Sequence, residues 1–134
     1  MDYRILFLLS SLASATIFVL GMSFAAQAYQ RDDDARRGYR TLVVTHGPDA
    51  CLRVASISTV VALAGVAALS AAGVYPRLVL LGLPVFLLAA RTMARWRRAP
   101  QGGSPEVAAE FAVRMAEGGA VLVALATIDS LVRC

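Results

Sequence analysis

ILFLLSSLASATIFVLGMSFAAQA, residues 5–28, runs without a single charged side chain. As a helix, a stretch of that length exceeds the roughly 30 Å of a bilayer's hydrocarbon layer. The backbone groups of a spanning segment must be hydrogen-bonded within the segment itself. The stretch therefore reads as a membrane-spanning helix. Residues 54–75 repeat the pattern, interrupted only by small polar residues and by Gly65 and Gly73. Residues 78–94 form a shorter apolar run that contains Arg91. A kink is predicted there at Gly82 and Pro84, because proline removes a backbone donor. Residues 115–132 complete the set and carry Glu117 and Asp129 near the two ends, where acids reach the interface or a polar interior. The prediction is an all-α integral membrane bundle of four transmembrane helices, with residues 1–134 forming one domain.

Composition agrees. Hydrophobic residues make up 58% of the chain and charged residues 16%, a balance that excludes an ordinary soluble domain. All basic residues are arginine, so the net charge of +4 fits topology-setting and phosphate contacts better than nucleic-acid binding. Arg31, Arg36, Arg37, Arg40 and Arg53 lie between the first two spans, and Arg91, Arg95, Arg97, Arg98 and Arg114 surround the connection from the third to the fourth. The opposite side holds Arg4, Arg77 and Arg133. Positive residues collect on the cytoplasmic side, so segments 29–53 and 91–114 are expected in the cytoplasm of a cell (inner) membrane, with both termini outside.

A competing reading takes Ala26, Gln27 and Ala28 as the A-x-A end of a cleaved signal peptide. The apolar stretch is long for that role and MDYR carries no net positive charge. Cleavage would also export the arginine-rich segment, so a retained span is favoured.

The chemistry-bearing stretch is QRDDDARRGYRTL, residues 30–42, which holds three consecutive acids and four arginines. If the first helix continues through Arg37, then Gln30, Asp33, Asp34 and Arg37 share one face at spacings of three and four. Two carboxylates and an amide oxygen are the donor types magnesium takes, and magnesium commonly shares phosphate oxygens with its protein ligands. Arg31, Arg37 and Arg40 are placed to hold a diphosphate, since guanidinium groups bind phosphate oxygens in pairs. Gly38 is expected to end the helix. The bland alternative is a solvated loop whose acids and arginines pair with one another.

The run YQRDDDARRGYRTLVVTHG resembles the second aspartate-rich segment of the UbiA superfamily of intramembrane prenyltransferases. In that family a D-x-x-x-D motif precedes a basic stretch, a glycine and a T-L-x-V-like strip that ends in glycine. Asp34, Gly38, Thr41, Leu42, Val44 and Gly47 occupy matching positions, whereas the first acid of the pair is replaced by Gln30. The resemblance covers the C-terminal half of a family member, and the N-terminal half with its own acidic motif has no counterpart here. It implies a Mg2+-dependent enzyme that transfers an isoprenoid from its diphosphate to a hydrophobic, typically aromatic, acceptor. Asp34, Asp33 and Gln30 would hold the metal, and Arg31, Arg37 and Arg40 the diphosphate. It also implies that the chain is incomplete alone, as a piece of a longer protein or beside a separate chain that supplies the other half. A non-catalytic four-helix membrane scaffold or degenerate remnant is the alternative.

Other conspicuous residues read more plainly. Glu117 either sits at the interface or borders the cavity and pairs with an arginine. Trp96 and Tyr75 are placed as interfacial anchors, and Gly118 and Gly119 as close-packing positions. Asp49 is a candidate N-cap for the second span. His46 stands alone in its loop, and Cys51 and Cys134 fall on opposite sides of the membrane, which excludes a disulfide between them.

Overall fold

The computed structural model of the protein describes residues 3–99 and 105–132. Its regular structure among these residues is all helical: α1 (Tyr3–Tyr29), α2 (Arg31–Arg36), α3 (Leu42–His46), α4 (Pro48–Ala71), α5 (Val79–Gly82), a 3-10 turn (Leu83–Val85), α6 (Phe86–Arg98) and α7 (Pro105–Val132). Four segments are long and apolar enough to cross a membrane: Ile5–Tyr29, Pro48–Ala71, Val79–Arg98 and Pro105–Val132.

The hydroxyls inside these segments show how polar residues are carried through an apolar layer. Ser11 donates to the Phe7 carbonyl at 2.7 Å, Thr16 to Leu12 at 2.8 Å, Ser23 to Val19 at 2.9 Å, Ser56 to Leu52 at 2.7 Å and Thr127 to Val123 at 2.8 Å. Each bond reaches back one turn along its own helix, so no hydroxyl of this group needs water.

Two packed units make up the bundle. Helix α1 lies along α4, and α5 and α6 lie along α7. The first contact is made by small residues: a Cβ at Gly21 would sit 3.0 Å from the Ser58 Cβ and 3.3 Å from the Ala55 carbonyl oxygen, and Ala25, Ala28, Ala55 and Ala62 are buried nearby. Where lipid tails surround the helices, close backbone approach of this kind supplies the packing energy. Between α5–α6 and α7, glycines on both sides accept large side chains. A Cβ at Gly82 would lie 2.8 Å from Leu122 Cδ2, and one at Gly118 would lie 2.7 Å from Phe86 Cζ. Gly118 is thus a close-packing position, as expected, whereas Gly119 meets nothing within 4 Å.

Several sequence expectations are corrected here. The first helix does not continue through Arg37: it ends at Tyr29, and Gln30, with φ −90° and ψ 10°, caps the separate helix α2. The second span begins earlier than residue 54, and its cap is Gly47, with φ 82°, followed by Pro48 at the first helical position. Asp49 is therefore inside the first turn, where it binds Arg53 Nη2 at 2.8 Å and Arg97 Nε at 3.1 Å. The interruption predicted at Gly82 and Pro84 is present as the 3-10 turn. The fourth helix starts at Pro105, where proline suits a first helical position, ten residues before the apolar run, and Glu110 in this extension pairs with Arg95 across the α6–α7 connection and accepts from Thr92. Trp96 is not an interfacial anchor. It is 2% exposed and meets Phe111 edge-on, with ring centroids 5.8 Å apart. Tyr75 instead lies at the far end of the bundle, where it donates to Ser11 Oγ at 2.8 Å and meets the Phe7 ring edge-on. Cys51 is buried and free, while Cys134 lies outside the described residues.

Candidate functional site

Both arginine-rich connections fold to the same end of the bundle. Asp49 joins Arg97 there, and Trp96, Phe111, Tyr29 and Gln30 line one cavity. The charged segment itself is a tight helix–turn–helix. Helix α2 ends at Gly38 as expected: its φ of 73° allows Gly38 N–H to reach the Ala35 carbonyl at 3.1 Å and Tyr39 N–H to reach the Asp34 carbonyl at 2.9 Å. This is the paired termination that a left-handed residue permits. The chain then doubles back into α3, which is pinned by Val43, a fully buried residue that packs in the same core as Cys51 and Leu52.

That reversal brings Thr41 over Asp34. The Thr41 hydroxyl donates to Asp34 Oδ2 at 2.9 Å, and Asp34 is half-buried while Asp32 and Asp33 are exposed. Asp34 thus has one carboxylate oxygen fixed by a side-chain hydrogen bond. Gln30 is exposed, and its backbone carbonyl accepts the Asp34 N–H at 2.9 Å, so the amide side chain is left at the start of α2. Arg31, Arg36, Arg37 and Arg40 are exposed, and among the described residues none of them forms an ion pair. Among the described residues, no group of three carboxylate, histidine or thiol side chains converges to hold one metal ion.

Beside this segment opens an apolar slot of about 210 Å³, lined by Met22, Ala26, Tyr29, Gln30, Trp96 and Phe111. A larger groove of about 500 Å³ lies between α1, α4 and α7, bordered by Phe7, Phe18, Val66, Tyr75 and Leu122, and shares no residue with the charged segment. Glu117 lines neither space. It binds Arg114 at 2.9 Å on its own helix. His46 Nδ1 lies 2.8 Å from the Thr45 hydroxyl, on the exposed side of α3.

Sequence reasoning missed two contacts. The Asp34–Thr41 bond spans a glycine turn, and its signal is only a hydroxyl placed shortly after that turn. The burial of Trp96 was signalled by its spacing from Phe86, Ala89 and Met93, which recur every three or four residues.

No protein-family model, no curated protein and no solved structure matches the chain.

Proposed function

We propose that the chain is the diphosphate-holding half of a membrane-embedded prenyltransferase, with its arginine-rich end in the cytoplasm. One observation carries the reading: a half-buried carboxylate fixed by Thr41 stands in a segment of exposed arginines without ion pairs among the described residues, and the first residue of that segment, Gln30, lines an apolar slot. An isoprenoid diphosphate is an anion joined to a hydrocarbon chain, and that pairing matches it.

In this reading Asp34 and Asp33 offer carboxylate oxygens and Gln30 an amide oxygen, all within reach of water, which is the donor chemistry magnesium accepts. A magnesium ion bound there supplies positive charge to a departing diphosphate. Thr41 keeps the Asp34 carboxylate in one orientation, so its second oxygen is preorganised. Arg31, Arg37 and Arg40 contribute fixed positive charge and paired N–H donors to the phosphate oxygens. Tyr29, Met22 and Phe111 shield the first carbons of the chain from water. Replacing the motif's first acid by Gln30 leaves less negative charge for the cation, so a second acidic segment from a partnering half is part of the proposal.

The test co-expresses the chain with a half that carries its own aspartate-rich segment and measures magnesium-dependent prenyl transfer to an aromatic acceptor. Asp34→Ala is expected to abolish transfer. Activity that survives this substitution at the wild-type level would remove the site assignment.

The second reading is a non-catalytic membrane scaffold, favoured by the lack of a converging acid triad among the described residues. Calorimetric titration with magnesium and inorganic diphosphate separates the two: the scaffold reading requires that no heat of binding depend on Asp34.

A further inference from the structure

Along one edge of the third hydrophobic segment the exposed residues are Pro84, Leu87 and Leu88, followed by Arg91, Arg95 and Arg98. Their spacing of three and four residues puts them on a single strip, apolar for its first half and basic for its second. The opposite edge, Phe86, Ala89, Thr92, Met93 and Trp96, is buried in the bundle. This strip therefore faces away from the core of the bundle, with Arg95 at its border reaching Glu110 on α7.

Its placement along the bundle creates an electrostatic demand. The uncharged part of the segment, residues 79–90, is about 18 Å long at helical rise, well short of a hydrocarbon layer of about 30 Å. Helix α1 supplies 25 residues from Ile5 to Tyr29 for the same crossing. The Arg97–Asp49 pair ties the end of α6 to the first turn of α4, so Arg91 sits about 10 Å deeper than Arg98. An outward-facing arginine there either stretches toward the headgroup layer or draws an anion to itself. Arg95 has Glu110, whereas Arg91 and Arg98 form no ion pair among the described residues.

We propose that this strip binds an anionic phospholipid, with its phosphate between Arg91 and Arg98, beside Arg95, and one acyl chain along Leu87 and Leu88. The two-part complementarity selects the occupant. A free phosphate satisfies only the basic half, and an acidic soluble segment leaves the leucines unmatched. The site is independent of the diphosphate proposal, because it uses a different face and different arginines. It also explains how a short third segment is accommodated: the lipid headgroup is drawn down to the arginines, and the bilayer thins locally.

The experiment uses the full chain in micelles titrated with phosphatidylglycerol or with phosphatidylcholine of the same acyl chains, and bound lipid is counted by native mass spectrometry. Phosphatidylglycerol is expected to be retained in preference to phosphatidylcholine. Arg91→Gln with Arg98→Gln should weaken that retention roughly 30-fold, since each arginine near an anionic surface contributes on the order of a tenfold or smaller factor. Arg77→Gln, at the other end of the bundle, should change it less than about twofold by the same reasoning. Equal retention of the two lipids by the wild-type chain, or unchanged phosphatidylglycerol retention in the double variant, overturns the proposal. Should the double variant fail to fold, thermal unfolding of the wild-type chain followed by Trp96 fluorescence decides: phosphatidylglycerol must raise the midpoint more than phosphatidylcholine, and equal shifts overturn the site.

Discussion

Gly118 and Gly119 are neighbours on α7 in opposite circumstances, and exchanging each for alanine tests the packing directly. A Cβ at Gly118 would lie 2.7, 2.8 and 3.0 Å from three atoms of the Phe86 ring. Carbon atoms in favourable contact are about 3.5–4.0 Å apart, so the added methyl overlaps the ring by roughly 0.5–1 Å. Phe86 is 5% exposed, and one turn earlier Gly82 is already seated against Leu122 and Leu125, so neither the ring nor the helix has an easy way to retreat. Overpacking of this kind costs about 1–3 kcal/mol, whereas alanine's preference for helix over glycine returns about 0.5–1 kcal/mol. Gly118→Ala is therefore expected to destabilise the bundle by about 0.5–2 kcal/mol. Gly119→Ala keeps only the helix preference and should be neutral or stabilising by up to about 1 kcal/mol, because nothing stands within 4 Å of its Cβ. Reversible unfolding in mixed micelles by added dodecyl sulfate, followed by the fluorescence of Trp96, the single tryptophan, measures both. Phe86→Leu combined with Gly118→Ala should recover part of the loss, as coupled neighbours do. If Gly118→Ala proves as stable as Gly119→Ala, the α6–α7 contact is not the one described.

Other expectations follow from single contacts. Thr41→Val removes the donor to Asp34 Oδ2 and should loosen residues 31–47, seen as amide hydrogen exchange in that segment faster by about tenfold, on a bond of roughly 1–1.5 kcal/mol. Tyr75→Phe keeps the edge-on contact with Phe7 but loses the bond to Ser11, an expected cost of about 0.5–1.5 kcal/mol in the same unfolding assay. Phe111→Ala opens a cavity against Trp96 and should cost about 3–5 kcal/mol, with a red shift of the tryptophan emission as water enters. Ser70 is fully buried and its hydroxyl makes no hydrogen bond to the described residues, so Ser70→Ala should leave stability unchanged or raise it; a loss above about 1 kcal/mol contradicts that placement.

The four spans were legible because each is a composition effect: apolar runs with few or no charges need no tertiary information. Their ends were less so. Helix α1 stops at Tyr29 although neither Gln30 nor Arg31 breaks helices. The chain is turned there by distant events, the burial of Val43 beside Cys51 and Leu52 and the glycine reversal at Gly38. Glu106, Glu110 and Arg114 carry α7 beyond the apolar run, and hydropathy alone does not show that Glu110 finds Arg95 and Thr92 on α6. At the charged segment, the acids and arginines were recognisable as a group. What could not be read was that Asp34 alone would be partly covered and fixed, since that depends on Thr41 returning across a turn. Trp96 stands near a helix end, where aromatic rings often anchor, yet its period with Phe86, Ala89 and Met93 puts it on the buried face of α6.

The pairing of α1 with α4, and of α5 and α6 with α7, bears on how such a chain reaches its final form. Helix α1 and its partner α4 are both synthesised before any residue of α7. The small-residue contact at Gly21, Ala25 and Ala55 is thus available while the ribosome is still translating. Assembly in the bilayer can then proceed in two instalments, a finished leading hairpin followed by a trailing one locked by Gly82 and Gly118. Damage to the trailing lock would leave the leading hairpin inserted and intact, a half-built intermediate rather than an unfolded chain.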